Sequence, residues 1–134
     1  MGRPGATDMS PAVLIVDDET TFAKNIATFL VRQGYDVCRV ETAEEGLVQL
    51  NDFRPAVVLL DFNLPGMDGL EMLAEVRRRD PQIKVILVTG QGSEQVAVDA
   101  MKAGAFDYLT KPLVLGKLKV VVEKALGQER LEEE

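Results

Sequence analysis

Short apolar runs alternate with amphipathic stretches along most of the chain. The runs are rich in Val, Ile and Leu and end at polar or turn-forming residues, which is typical of strands buried on both faces. Between them, apolar residues recur every three or four positions, which indicates helices. Strands and helices that alternate with short connections predict a parallel sheet. The predicted strands are residues 12–16, 35–40, 56–60, 83–88 and 106–109, and the predicted helices are residues 19–33, 43–52, 69–79, 93–103 and 113–127.

Several predicted helices carry residues at their ends that favour a start or a stop. Thr42 and Ser93 are predicted N-caps, because a hydroxyl oxygen can accept a hydrogen bond from an amide of the first turn. Gly34 and Gly104 are predicted C-caps, where glycine tolerates the left-handed conformation. The first helix is expected to bury a stripe of apolar residues spaced three and four apart: Phe22, Ile26, Phe29 and Leu30.

The composition is that of one compact domain, with 134 residues of which 46% are hydrophobic and 28% charged. A net charge of -7 argues against direct nucleic-acid binding, which needs clustered Lys and Arg. Residues 1–11 are small, polar and Pro/Gly-containing and predict a flexible leader, whereas residues 128–134 predict an acidic helical tail or the start of a linker. The domain itself is therefore expected to span residues 12–127.

The chain contains a single cysteine, Cys38, which can form no internal disulfide and is expected to be a packed thiol. A reducing, cytoplasmic location fits that expectation. The longest apolar runs are far shorter than the roughly twenty residues that span a bilayer, so no transmembrane helix and no membrane partner are expected.

Polar residues follow four of the predicted strands at or just beyond their carboxyl ends. Because parallel strands share one carboxyl edge, where open α/β folds bind ligands, these side chains are expected to converge. The chain has no histidine, so chemistry at this edge must use carboxylates. The converging residues are Asp17, Asp18, Asp61, Thr89 and Lys111.

Each of these residues also has an ordinary structural interpretation. Asp17 and Asp18 could together hold Mg²⁺ or Mn²⁺, although Asp18 could simply begin the first helix. Asp61 could be an attacking carboxylate, although a strand-terminal Asp often caps a turn. Thr89 could donate to a phosphoryl oxygen or satisfy a local turn. Lys111 could reach an anion in the same cleft, and the proline after it suggests a tight peptide.

The fragments LIVDDE, VVLLDFNLPGMDGLE, ILVTGQG and AGAFDYLTKP occur in this order and spacing. Together they resemble the receiver domain of bacterial two-component response regulators, over nearly the whole span 12–127. The resemblance implies a flavodoxin-like α/β sandwich with a single five-stranded parallel sheet in the order 2-1-3-4-5. It also implies that Asp61 is the phosphoacceptor, that Thr89 and Lys111 bind the phosphoryl group, and that the Mg²⁺ ligands are Asp17, Asp18, Asp61 and the backbone carbonyl of Asn63.

The same resemblance implies a switch. Thr89 would move toward the phosphoryl group and Tyr108 would turn inward, which would change the surface formed by the fourth helix, fifth strand and fifth helix. Tyr108 could equally be a half-buried strand residue. Asn63 and Gln91 would tune the lifetime of the phosphate. The implied donor is a sensor histidine kinase or a histidine phosphotransfer protein, and the protein would catalyse its own phosphorylation and dephosphorylation without being a conventional enzyme.

Two other functions are compatible with parts of this pattern. Phosphotransferases of the haloacid dehalogenase class also use an Asp nucleophile and Mg²⁺, but their nucleophile follows the first strand in a DxD-type pair, whereas this chain has DDE there and no cap insertion. A non-phosphorylated, receiver-like interaction module is the second alternative. Similarity around VTGQGSEQVAVDAMKAGAFDYLTKP favours receivers of transcription activators, so the expected output is transcription through an effector domain or a homodimer.

Overall fold

The computed structural model describes residues 10–90 and 94–127. Within them, strands and helices alternate as the hydrophobic pattern predicts. The strands are β1 (Ala12–Val16), β2 (Asp36–Val40), β3 (Val57–Asp61), β4 (Lys84–Thr89) and β5 (Asp107–Thr110). The helices are α1 (Thr20–Arg32), α2 (Ala43–Asp52), α3 (Gly69–Arg79), α4 (Glu94–Lys102) and α5 (Leu115–Ala125).

The five strands form one parallel sheet in the order β2-β1-β3-β4-β5, which confirms the predicted topology. Every residue of β1 and β3 is buried, because helices cover both faces of these central strands. Val16 of β1 lies opposite Leu60 of β3, and Asp61 lies opposite Val88 of β4. This register brings the carboxyl ends of β1, β3 and β4 to one edge of the sheet, where the candidate residues follow.

Two apolar layers hold the helices on the sheet, and each fully buried Leu or Ile contributes about 1.5–3 kcal/mol relative to an exposed position. On one face, α1 and α5 pack on the sheet through residues that include Val13, Ile15, Ile26, Leu30 and Leu118. On the other face, the packing of α2, α3 and α4 includes Leu14, Leu60, Met72, Leu87 and Ala100.

The helix ends agree with three of the four predicted caps. Thr42 accepts a hydrogen bond of 3.0 Å from the amide of Glu45. Gly34 and Gly104 adopt φ angles of +98° and +101°, which a side chain would strain. The fourth predicted cap, Ser93, lies outside the described residues, as do residues 1–9 of the predicted leader and the whole predicted tail.

The buried face of α1 differs from the predicted stripe. Ile26 and Leu30 are buried as expected. Phe22 and Phe29 pack against the core but are only partly buried, and the small Ala23, which the predicted stripe omits, is buried as well. The helix also begins at Thr20, one residue later than predicted, because Glu19 has an extended backbone and is the N-cap residue. Both differences matter at the carboxyl edge of the sheet, where Glu19 and Phe22 contact a site residue.

Candidate functional site

Three buried or half-buried polar groups meet at the carboxyl edge of the sheet. Asp17 directly follows β1, Asp61 is the last residue of β3, and Lys111 directly follows β5. Asp17 is only 3% exposed and Asp61 only 5%, and the side chain of Lys111 is 14% exposed. Burial at this depth makes their charges costly unless they compensate one another or bind an ion.

The acidic residues are close enough to share one cation. Asp17, Asp18 and Asp61 each offer a carboxylate oxygen, and these oxygens lie within 4.8 Å of one another. Asp17 and Asp61 are buried while Asp18 is exposed, so the cluster opens to solvent on one side. Carboxylate oxygens around an open side suit Mg²⁺, which binds few protein ligands and keeps several waters. The donor set therefore fits the predicted ion.

Lys111 is the positive counterpart of this cluster. Its Nζ donates to Oε1 of Glu19 at 2.6 Å and lies 3.0 Å from Oδ2 of Asp17. Oδ2 of Asp61 is more distant, at 3.8 Å. The ammonium group also lies 4.3 Å from the centre of the Phe22 ring, a favourable position for a cation. Glu19 and Phe22 were not predicted as site residues, although the LIVDDE fragment contains Glu19.

The pKa values of two site residues follow from burial and from these contacts. Burial raises the pKa of Asp61 above its ordinary value; the amide of Asn63 opposes the shift, and the carboxylate of Asp17 adds to it. Burial works against the charged form of Lys111, but its hydrogen bonds to Glu19 and Asp17, together with the negative charges of Asp17 and Asp61, outweigh burial and raise its pKa. Lys111 is therefore cationic at neutral pH.

A pH dependence of stability follows from the raised pKa of Asp61. The folded state favours the protonated form of Asp61. The contribution of protonated Asp61 to the free energy of unfolding is therefore complete below the unfolded-state pKa and is lost as pH rises through the folded-state pKa. We expect Asp61→Asn to stabilise the metal-free protein at neutral pH by on the order of 1 kcal/mol.

Urea unfolding in EDTA, between about pH 4 and about pH 7, measures this effect. The difference between variant and wild type should grow with pH. Asp99→Asn is a matched control, because Asp99 lies on α4 and its partner Gln95 can still donate to an Asn side chain. A gain in stability of Asp61→Asn that is equal at both ends of the pH range would contradict the role of the raised Asp61 pKa.

The loop after β3 positions Asp61 and forms one wall of the site. The amide of Asn63 donates to Oδ1 of Asp61 at 3.1 Å. A capping box between Asp68 and Glu71 fixes the start of α3, and Gly69 lies so close to the loop that a Cβ there would be 2.7 Å from the Cα of Phe62. The result is a cleft of about 300 Å³ lined by Asp18, Glu19, Asp61, Asn63, Gly90 and Lys111.

Thr89 and Tyr108 lie on neighbouring strands beside this cleft. Thr89, the last residue of β4, is fully buried, and it lies opposite Thr110 of β5. Tyr108 is two residues before Thr110 and therefore on the same face of the sheet, as a diagonal neighbour of Thr89. The two side chains are thus adjacent positions of one layer. Gln91 lies outside the described residues.

The family model for the response regulator receiver domain matches residues 13–123 of the chain. The regulatory protein AtoC of Escherichia coli (strain K12) is 35% identical over 122 residues, covering 91% of this chain and 26% of AtoC. The nitrogen assimilation regulatory protein NtrX of Azorhizobium caulinodans is 36% identical over 128 residues, covering 94% of this chain and 28% of NtrX. The chain thus spans about a quarter of the length of these curated relatives.

Solved structures of similar sequence share the fold. The CheY-like receiver domain protein of Methanospirillum hungatei JF-1 superposes with a TM-score of 0.82 at 34% identity, covering 89% of this chain and 96% of that protein. The receiver domain of NtrX from Brucella abortus gives a TM-score of 0.82 at 34% identity, covering 87% and 99%. Across residues 10–90 and 94–127, no helix has the length and apolar character needed to cross a membrane.

Proposed function

The chain belongs to the response regulator receiver family, whose members are phosphorylation-dependent signalling switches, and we propose that Asp61 is the residue that accepts the phosphoryl group. One observation carries this proposal. The Asp61 carboxylate lies at the end of the central strand β3, in a cleft that also holds Asp18 and the amine of Lys111. A nucleophile, metal-binding oxygens and a cation for the transferred group are thus in one place.

The proposed donor is a phosphohistidine on a sensor kinase or a histidine phosphotransfer protein. An oxygen of Asp61 attacks phosphorus, the phosphorus–nitrogen bond breaks, and its electron pair stays on the imidazole, which takes up a proton from solvent. Hydrolysis later breaks the bond between phosphorus and the Asp61 oxygen by attack of water. Both reactions use the protein's own side chain as substrate, so the protein is a self-modifying switch and not a conventional enzyme.

Receiver domains bind Mg²⁺ at an acidic pocket, and the acidic cluster of this chain has suitable ligands. The proposed ligands are the carboxylates of Asp17, Asp18 and Asp61 with the backbone carbonyl of Asn63, and Mn²⁺ would suit the same oxygens. When bound, the ion would supply positive charge for the transferred group and would offset the mutual repulsion of the acids, which is about 4 kcal/mol for two unit charges at 4 Å in a dielectric of 20.

Lys111 supplies the second positive charge. Among the described residues that line the cleft, it is the only basic one. Its ammonium group lies closer to the carboxylates of Asp17 and Glu19 than to that of Asp61, and it would exchange those contacts for the phosphoryl oxygens on Asp61. The phosphoryl oxygens offer stronger acceptors than a single carboxylate, so the exchange is favourable once the phosphoryl group is in place.

Thr89 and Tyr108 form the proposed link from the cleft to the surface. Drawing the Thr89 hydroxyl toward a new dianion would vacate space in the layer that both side chains share, and the Tyr108 ring can fill it. The surface formed by α4, β5 and α5 carries exposed apolar side chains that a partner or effector domain could cover. They include Val98, Met101 and Val120.

The switch can be tested by comparing amide NMR spectra before and after addition of acetyl phosphate and Mg²⁺. In the wild type we expect resonances of α4, β5 and α5 to shift together with those of the cleft. The reason is that phosphorylation changes the populations of two pre-existing conformations of this surface. Asp61→Asn should show only the changes caused by ion binding. Shifts confined to the cleft in the phosphorylated wild type would contradict the proposed switch.

The proposed output is transcription. The transcriptional regulatory protein ZraR of Klebsiella oxytoca is 39% identical over 124 residues, which cover 90% of this chain and 27% of ZraR. The acidic residues 128–134 would then lead toward an effector domain, and a homodimer through α4, β5 and α5 is a further proposal. A cytoplasmic location accords with the single, unpaired Cys38.

A further inference from the structure

Glu19 occupies an unusual position for its residue type. It is the N-cap residue of α1, a place that favours short side chains able to accept a hydrogen bond from the first turn. The Glu19 side chain makes no such bond. Its carboxylate instead accepts a hydrogen bond of 2.6 Å from Lys111, which is 92 residues away in the sequence. The side chain is thus directed into the cleft and away from the helix it begins.

The contact holds Lys111 on one side of the cleft. Nζ of Lys111 is 2.6 Å from Glu19 and 3.0 Å from Asp17, but 3.8 Å from Asp61. The last distance is too long for a hydrogen bond. The backbone amide of Glu19 also donates to Oδ1 of Asp17 at 2.8 Å, so Glu19 fixes both the lysine and one of its acceptors.

The contact joins a buried amine to an exposed carboxylate. The Lys111 side chain is 14% exposed and the Glu19 side chain is 61% exposed, so solvent screens the acidic half of the pair and lowers its contribution to folding. Exposure at the mouth of the cleft does leave the carboxylate free to compete with a phosphoryl group for the same amine. From this position Glu19 can influence how readily Lys111 reaches a phosphoryl group on Asp61.

We propose that Glu19 is a positioning residue that holds the Lys111 ammonium group away from Asp61 in the unphosphorylated protein and so slows phosphorylation. This inference rests on the proposed role of Asp61 as phosphoacceptor. The amine must exchange the Glu19 carboxylate for the oxygens of the incoming phosphoryl group. Weakening the contact leaves Asp17 as the remaining carboxylate that holds the amine, so the exchange costs less and the amine reaches the transferring group more readily.

The test measures the initial rate of phosphoryl adduct formation by intact mass, with acetyl phosphate and Mg²⁺. In this reaction an Asp61 oxygen attacks phosphorus and acetate leaves with the electron pair of the broken phosphorus–oxygen bond. We expect Glu19→Gln, which keeps the side-chain length but removes the charge, to raise the rate about fivefold. Glu19→Ala, which removes the acceptor altogether, should raise it at least as much.

Glu41→Gln is the matched control for charge. Glu41 follows β2 at the same edge of the sheet, where its carboxylate accepts from the hydroxyl of Thr20 and has no described contact with Lys111. We expect its rate to stay within about twofold of the wild type. Equal acceleration in Glu41→Gln and Glu19→Gln would overturn the proposal, because the effect would then reflect only the charge around the cleft.

A double variant separates positioning from general structural effects. In a Lys111→Met background, Glu19→Gln has no amine to release, so we expect no acceleration there. Acceleration that persists without Lys111, or a single Glu19→Gln variant as slow as the wild type, would overturn the proposal. Failure of the wild type itself to form an adduct would instead refute the proposed role of Asp61, so the two failures are distinguishable.

Discussion

Replacing Asp61 with Asn is expected to abolish phosphorylation. The amide has nearly the same shape as the carboxylate and keeps an oxygen that can accept from the Asn63 amide. It lacks the negative charge that makes the carboxylate a nucleophile, and it is a weaker ligand for a hard cation. We expect the rate of adduct formation from acetyl phosphate to fall by at least about 10³-fold, to below detection by phosphate-affinity electrophoresis.

Asp52→Asn is the control for this substitution. Asp52 is an exposed residue at the end of α2, and its helix runs from the carboxyl edge of the sheet toward the opposite edge. The same chemical change there should leave the rate within about twofold of the wild type. An Asp61→Asn protein that still gains one phosphoryl group as fast as the control would place the acceptor at another residue.

Lys111→Met is expected to have the second largest effect. Methionine has a similar length and can keep the packing against Phe22, but it removes the positive charge that lies among three carboxylates. Charge that develops on the transferring phosphoryl oxygens then has no ammonium group to stabilise it. We expect phosphorylation to slow by about 10- to 100-fold, measured as the initial rate with acetyl phosphate.

The control is Lys119→Met, which breaks a salt bridge with Glu123 one turn away on α5. It removes the same charge from the protein at a position outside the cleft lining, so its rate should match the wild type. Thermal unfolding of both variants shows whether each is folded at the assay temperature. A folded Lys111→Met protein that reacts as fast as Lys119→Met would contradict a role for Lys111 in the transfer.

Hydrophobic pattern was sufficient to predict the strands, because buried parallel strands require unbroken apolar runs that stop at polar residues. AVLIV and VVLLD are such runs, and β1 and β3 occupy them. Helix faces were harder to predict. In α1 the spacing of apolar residues predicted that the large Phe22 and Phe29 would be buried, but the small Ala23 is the more buried residue. Periodicity alone does not take side-chain size into account.

The site was predictable to the extent that its residues end strands. Asp17, Asp61 and Lys111 meet at one edge because the sheet is parallel, and the structure places them within ion-pair distance. The contact of Lys111 with Glu19 was not predicted, because Glu19 was assigned to the first helix and only residues that end strands were expected at the site. The sequence does contain a local signal for this contact, because Glu19 follows two aspartates at a position where a shorter N-cap residue would be expected.

The most direct test of the account is the intact mass of the wild-type protein after incubation with acetyl phosphate and Mg²⁺, beside the same mixture with EDTA. We expect one phosphoryl adduct with Mg²⁺ and none, or a trace, with EDTA, because without the ion the acidic cluster would have to receive further negative charge uncompensated. An unmodified wild-type mass under conditions where Mg²⁺ is shown to bind would contradict the account and favour a receiver-like module that acts without phosphorylation.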